Sequence, residues 1–381
     1  MNGYNAARKD SESAIRARDI MQKKIDEGRA SAMTLLEHVH NNIPNDMVAR
    51  GSALTFDYGV EPEYAPLTVR VGGGEPMTIH RHALGQTAQK AGIPERYLTE
   101  LVKSPEAWRR ELAARTLNDH FNNDRVESSE DLSTSRHLIR AVHGDVRAVL
   151  SDRYRRLDSR PLVDAFANSC NAIGAVPVQG TVTDVRVALK AFLPMVFEPV
   201  PGEVMCLGVE WSNSDFGAGK HACRAFIYRL WCLNGATMED VLSQVHLGGR
   251  MADDIEFSDR TYRLDTAAQV SALQDVVKGT LGPKNVNTLL DTIKSANDKE
   301  IDWKNIASKL SKKLLKEELK AVRDAFDSED VINLPPQKTL WRASNAVSWI
   351  AGHTEDATRK LELERLAGEV IHGKAEVQEA A

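Results

Sequence analysis

The chain has 381 residues, of which 42% are hydrophobic and 27% charged, and its formal net charge is -5. That length supports a substantial core and two or three domains, while the slightly acidic balance excludes a uniformly basic nucleic-acid binder and confines any polyanion site to a local patch. No apolar run reaches the roughly 20 residues of a membrane span, and the first ten residues carry no apolar segment behind their charges, so a soluble, cytoplasmic protein with no membrane partner is expected.

Residues 1–50 read as mostly helical, with Arg8, Lys9, Arg16, Arg18, Lys23 and Lys24 among acids, as in a weakly anchored arm that Ile43-Pro44-Asn45 ends. Short strands are expected at Tyr64 to Val71 and Met77 to His80, around a Gly72-Gly73-Gly74 turn that lacks the lysine and Ser/Thr of a phosphate loop. Residues 81–103 read as helix, tight turn at Gly92-Ile93-Pro94, and helix; Trp108, Leu112 and Leu117 continue a helical pattern. The polar stretch Asn118 to Ser135 sets a boundary near 125.

Between 136 and 250 the texture turns to strands. Val146, Ala148 and Leu150 alternate with Asp145, Arg147 and Val149, as do Val185 to Ala191 with Arg186 to Phe192, followed by runs at 204–211 and 222–232. A helix over 160–173 is predicted, capped by Asp158 or Ser159, with Leu162, Val163, Phe166, Ala167 and Cys170 on its apolar face. These runs predict an antiparallel sheet with that helix on one face. Thr237 is expected to cap a further helix containing Val241, Leu242 and Val245. Beyond 250, Ile306, Leu310, Leu314, Leu319, Val322 and Phe326 recur at helical spacing with Lys309, Lys312, Lys313 and Lys316 facing away, and Trp341 to Ile350 suggest a last buried helix before a frayed end. The fold class expected is α+β, a central antiparallel sheet packed by helices. Its regions are a mainly helical 1–125 with a short hairpin, an α+β core at 126–250 and a mainly helical 251–381.

Two segments carry the functional argument. At 144–161 the arginines Arg153, Arg155, Arg156 and Arg160 crowd around Tyr154 at a strand-to-helix junction; guanidinium groups beside an aromatic suit phosphate and stacked bases, whereas Asp152, Asp158 and Asp164 suit an ion-paired surface loop. At 213–221, Gly217 and Gly219 permit close backbone approach, Lys220 offers a cation and Phe216 a ring. Arg186 and Lys190 lie at strand spacing and are expected to share a face, to which Arg224 and Arg229 would add. The predicted nucleic-acid-binding set is therefore Arg153, Tyr154, Arg155, Arg156, Arg186, Lys190, Phe216, Lys220 and Arg224, with cations on phosphates and rings on bases.

Other chemistry is less well supported. Cys170, Cys206, Cys223 and Cys232 are too few for a disulfide scaffold. Three of them lie near His221 in sequence but lack the close cysteine pairs of a zinc site; buried thiols and no metal are expected. His137, His143, His221 and His246 form no recognisable catalytic order, and Asp152, Asp158 and Asp215 no compact magnesium motif. No cofactor and no catalytic residue are assigned.

Leu150-Ser151-Asp152-Arg153-Tyr154-Arg155-Arg156-Leu157-Asp158, with Trp211 to Gly217, Tyr228 to Gly235, Thr339-Leu340-Trp341 and Ala91 to Leu98, resembles the phage/plasmid-like protein family catalogued as a domain of unknown function. The resemblance implies a mobile-element context, hence a neighbourhood of DNA recombination or repair. The strand-turn-helix core is also similar in architecture to single-strand annealing proteins, which implies self-assembly and a basic groove for the DNA backbone. The expectation is a DNA-binding protein that anneals single strands, with single-stranded DNA and further copies of itself as partners. The alternatives are a structural assembly protein and a nucleic-acid-processing enzyme.

Overall fold

The computed structural model describes residues 12–58, 67–122, 132–230, 234–244, 258–328 and 334–373. Helix α1 (Glu12–Asn41) buries Ala17, Met21, Ile25, Ala32, Leu35 and Val39, a three-to-four-residue spacing that gives it one apolar stripe. The N-terminal region is therefore docked from residue 17 onward, in contrast to the weakly anchored arm expected.

Strands β1 (Asn45–Arg50), β2 (Leu54–Asp57), β3 (Thr68–Val71) and β4 (Met77–Ile79), then helices α2 (Arg81–Lys90), α3 (Glu95–Val102) and α4 (Ala107–Asn122), lead into β5 (Arg136–Val142) and β6 (Asp145–Ser151). The six strands form one sheet in the order β1-β5-β6-β4-β3-β2. All pairs are antiparallel except β4 with β6. Strand pairing thus crosses the boundary placed near 125: the region read as mainly helical supplies four strands of this sheet, and 136–151 belong to it rather than to the sheet that follows. Phe56, Val69, Ile79, Ile139 and Val149 meet Leu84, Leu98 and Leu117 of α2–α4 in a core of their own. Gly72 and Gly73, both at positive φ, turn the chain between β3 and β4.

Helix α5 (Ser159–Ala172) opens the second unit, followed by β7 (Val176–Val182), β8 (Val187–Phe192), β9 (Phe197–Val200), β10 (Glu203–Asn213), β11 (His221–Arg229) and β12 (Asn234–Gln244). This sheet is antiparallel throughout, in the order β12-β11-β10-β8-β7 with β9 beside β10. Met205, Leu207, Val209 and Trp211 face one core with Phe166 of α5, while Val204 and Cys206 face another with Met21 and Ile25 of α1, so both faces of β10 are buried. The segment at Thr237 is strand, not helix. The ladder with β11 runs from Asn234 to Gln244 and outweighs the helical propensity of the sequence. Val245 lies outside the described residues.

Helices α6 (Asp259–Thr280), α7 (Pro283–Asp298), α8 (Trp303–Leu310), α9 (Lys316–Asp327), α10 (Leu340–Gly352) and α11 (Ala357–Ile371) cover the second sheet. The single helical period read over 306–326 is split between α8 and α9. Glu318 Oε2 accepts the backbone N–H of Leu315 at 2.8 Å, which satisfies the new helix start. α10 is buried over almost its whole length, as expected, and Trp341 Nε1 donates to Glu203 Oε2 at 3.1 Å, where Arg229 also pairs. The fold class is α+β. The boundary residue 125, Tyr64 to Pro66 and the last eight residues lie outside the described residues.

Candidate nucleic-acid interface at the seam of the two sheets

The seam is built around Arg140, a charge placed inside the apolar run Leu138-Ile139-Arg140-Ala141-Val142 of β5. Its side chain is almost fully buried, and Nε reaches Asp46 Oδ1 of β1 at 2.7 Å, Nη2 reaches Asp158 Oδ1 at 2.6 Å, and Nη1 donates to the Asp215 carbonyl at 2.7 Å. Burial by itself would lower its pKa, but Asp158, Asp46 and Asp215 together hold it above the ordinary arginine value. A buried cation so enclosed needs all its partners. Arg140 was not among the residues singled out from sequence; a lone arginine in an apolar strand was the signal.

Because Asp158 is committed to Arg140, it does not cap α5. Asp215 caps it from the neighbouring loop: its Oδ1 accepts the Ser159 N–H at 2.8 Å and the Ser159 hydroxyl at 2.7 Å, with Asn213 Nδ2 at 3.3 Å. Burial pushes the Asp215 carboxyl up to about 6, the Asp158 charge adds to the rise, and Arg140 and Ser159 oppose it. The acids thus serve a helix cap and an arginine. Among the described residues no group of three or more His, Cys, Asp or Glu is arranged to hold a metal ion. Cys170, Cys206 and Cys223 are buried free thiols, and His221 Nδ1 accepts from Trp211 Nε1 at 3.2 Å; Cys232 and His246 lie outside the described residues.

The arginine-rich junction divides by environment. Tyr154 is buried, its hydroxyl donating to the Ser214 carbonyl at 3.2 Å. Arg155 pairs with both oxygens of Asp265 on α6, and Arg156 lies 3.4 Å from Asp46 Oδ2 and over the Tyr262 ring at 4.9 Å. The ion-paired reading therefore describes Arg155 and Arg156, which tie the turn to α6 and β1. Arg153 and Arg160 are exposed.

The loop between β10 and β11 is gripped from several sides. Phe216, only 5% exposed, packs with Val142 and Ala148 of the first sheet. Its carbonyl accepts from His82 Nε2 at 3.0 Å and Gln86 Nε2 at 2.9 Å, both on α2, and Ser214 Oγ donates to Val185 O at 2.7 Å. Burial lowers the His82 pKa, against the raising effect of its hydrogen bond to the Phe216 carbonyl. Phe216 and Tyr154 are thus wedges between sheets, and the expectation that they stack on bases is corrected by their burial.

Lys190 and Arg224 do share a face, but not an open one. Both converge on the wholly buried Glu210, at 3.6 and 3.2 Å, and Lys190 also pairs with Glu364 of α11. Although burial opposes ionisation of Glu210, Lys190, Arg224 and Arg365 hold its carboxyl below the ordinary value. A charge this deep is tolerated only when paired, so the electropositive sheet surface expected here is a neutralised interior. Sequence reasoning missed Glu210 and Glu364; an acid within the apolar run Met205 to Trp211 was the visible sign of the first. Arg229, likewise, is buried against Glu203 on the opposite face.

Arg186 behaves differently. It sits half-buried at the start of β8, and its guanidinium has no hydrogen bond or ion pair with any described residue. A side chain on Gly219 would place its Cβ 3.3 Å from Arg186 Nε. Burial lowers the Arg186 pKa and the Arg224 charge lowers it further, against Glu210 and Glu362. Lys220, partly exposed, follows Gly219; exposed Gly217 stands over Leu150 and Tyr154 at φ 77°. Of the nine residues selected from sequence, Arg186 is half-buried beside this loop, Lys220 at its end is partly exposed, and Arg153 is exposed on the turn that precedes Tyr154. Comparison of the chain with family models, curated proteins and solved structures gives no match.

Proposed function

We propose that the chain binds single-stranded nucleic acid through the 213–220 loop, as a phage or mobile-element DNA-binding protein active in strand annealing. The observation that carries this reading is Arg186. The other arginines of the seam, Arg140, Arg147, Arg155 and Arg156, are each engaged by an acid or a carbonyl, whereas a half-buried guanidinium beside a glycine backbone is a ready donor for a phosphate. Lys220 adds a second cation and Arg153 a third. With Tyr154 and Phe216 buried, contacts fall on the backbone, and a strand held by its phosphates keeps its base edges free to pair, which is what annealing requires.

The test is a titration of a fluorescent single-stranded oligonucleotide across a salt series. Arg186→Ala with Lys220→Ala should weaken binding and flatten the dependence of log K on log salt by about 0.7 for each phosphate that the variant no longer neutralises. Arg155→Ala, which removes the tie to α6, should leave that slope unchanged. No binding by the wild-type chain, or equal slopes in all three proteins, rejects the reading.

A further inference from the structure

The turn between α2 and α3 folds the chain back on itself and opens a cleft beside the 213–220 loop. Gly92, at φ 69°, ends α2: its N–H donates to the Gln89 carbonyl at 3.2 Å and that of Ile93 to the Ala88 carbonyl at 2.9 Å, a pairing that satisfies the last carbonyls of the helix through a left-handed backbone. α3 then begins at Glu95 and packs on α2 through Leu98 and Leu101. The cleft holds about 590 Å³, within the roughly 300–1,000 Å³ of small-ligand sites. It runs along one face of α2 from Arg81 through Gly85 to Gln89, about 12 Å, with Ile93 and Glu95 lining it from the turn and α3.

The side chains on this cleft divide into committed and open. Gln86 is committed: its Nε2 donates to the Phe216 carbonyl at 2.9 Å and its Oε1 accepts the Val149 N–H at 2.9 Å. It links the cleft to the loop, since a Cβ on Gly217 would lie 3.2 Å from the same Nε2. Arg81, Gln89 and Glu95 are exposed, and no hydrogen bond or ion pair ties their side chains to any described residue. The Glu95 carboxylate lies over Gly85. A Cβ there would be 3.0 Å from Cδ and 3.2 Å from each oxygen, so the carboxylate occupies the space that a side chain at residue 85 would fill, with both oxygens left to accept.

We infer that this cleft takes one guanine of the bound strand, with the Glu95 carboxylate accepting the two adjacent N–H donors of its base-pairing edge and Arg81 meeting the phosphate. The inference rests on the nucleic-acid reading and adds a base preference to it. An ionised carboxylate only accepts hydrogen bonds, so it selects a ligand edge that presents donors side by side. Guanine does so, with its ring N1–H next to its 2-amino group. Adenine and cytosine set an amino donor beside a ring acceptor, and thymine sets its single N–H between two carbonyls, so each would turn a lone pair toward the carboxylate. Half-buried Ile93 offers the ring an apolar surface, and Arg81 at the start of α2 suits a phosphate and disfavours a cationic ligand. One base is taken by each chain, so its neighbours on the strand stay free to pair.

The test compares a short fluorescent oligothymidine with the same strand carrying one central dG. The dG strand should bind roughly tenfold more tightly, as a bidentate base contact gives, and a central inosine, which lacks the 2-amino group, should lose most of that gain. Glu95→Gln turns one acceptor into a donor and should make the two strands bind alike. Gly85→Leu, which fills the space under the carboxylate without changing charge, should do the same; circular dichroism on both variants establishes that the fold persists. Arg186→Ala with Lys220→Ala should instead weaken both strands and keep their ratio. A wild-type chain that binds the two strands equally overturns the guanine cleft and leaves strand binding standing, whereas a chain that binds neither removes both. A preference that survives Glu95→Gln also overturns the inference, as does competition by free dGMP as strong as that by the dG strand, which would assign the cleft to a mononucleotide.

Discussion

Arg140 and Asp215 show how a single side chain can be settled by its surroundings. Removing Arg140 leaves Asp46 and Asp158 facing each other across a site without its cation, so Arg140→Ala should cost about 3–5 kcal/mol in a urea titration, whereas Arg153→Ala on the exposed turn should lie within about 0.5 kcal/mol of wild type. Titration of the seam and of β5 should have opposite signs. His137 is buried, edge-on to Phe121, and burial chiefly, with Lys90 adding, lowers its pKa to about 4. The unfolded imidazole therefore binds its proton first, and stability tied to this residue is lost as pH falls from about 6.5 to about 4. For Asp215 the folded carboxyl binds its proton first, so stability tied to it is present at low pH and lost as pH rises through about 6. Denaturation midpoints against pH should thus rise less steeply between pH 4 and 6 for His137→Gln than for wild type, and more steeply for Asp215→Asn.

At the scale of elements, the docking of α1 depends on two close approaches. A Cβ on Gly28 would lie 2.3 Å from the Val178 backbone, and one on Gly180 would lie 2.2 Å from Ser31 O. Helix and edge strand can touch this tightly only because both positions lack a side chain, and the neighbouring atoms are backbone that cannot swing aside. Gly180→Ala should therefore destabilise by about 1–3 kcal/mol and raise amide exchange along α1, whereas Gly279→Ala, where the new Cβ meets no atom within 4 Å, should be tolerated. The charged residues around α8 and α9 find partners on α11: Lys313, in the turn between the two helices, pairs with Glu369, and Glu318 of α9 takes Arg359. They form a charged outer surface over a buried row of Ile306, Leu310, Val322 and Phe326.

For the whole molecule the decisive feature is that the two sheets have separate cores joined through a seam that is largely polar. Phe56, Ile139 and Leu117 belong to one core; Trp211, Phe166 and Trp341 belong to another. Glu203 lies deep in the second, where Arg229 and Trp341 meet it. Glu203→Ala strands the buried Arg229 charge and should lower protection of amides in β8, β10, β11 and α10 while leaving β2 to β6 near wild type, as hydrogen exchange followed by mass spectrometry would report. Equal loss of protection in both sheets would mean that they open as one unit.

Local periodicity was enough to read the helix-turn-helix at 81–103, the β6-turn-α5 junction, the alternation on β8 and β10 and the burial of α10, because each depends on side chains a few residues apart. It was also enough to mark 144–161 and 213–221 as unusual. What it could not supply was partnership over long separations. Asp46 meets Arg140, Arg155 meets Asp265, and Lys190 meets Glu364 only after folding, so the same arginines and lysine read as an open basic surface until their counter-ions arrive. The division of strands between two sheets and the strand conformation at Thr237 have the same origin: a strand is completed by its neighbour, and that neighbour is chosen by tertiary structure. Composition bounded the charge of this chain, and periodicity most of its elements; the folded arrangement alone decided which cations are neutralised by acids far away in sequence, and which, like Arg186 beside a glycine loop, are not.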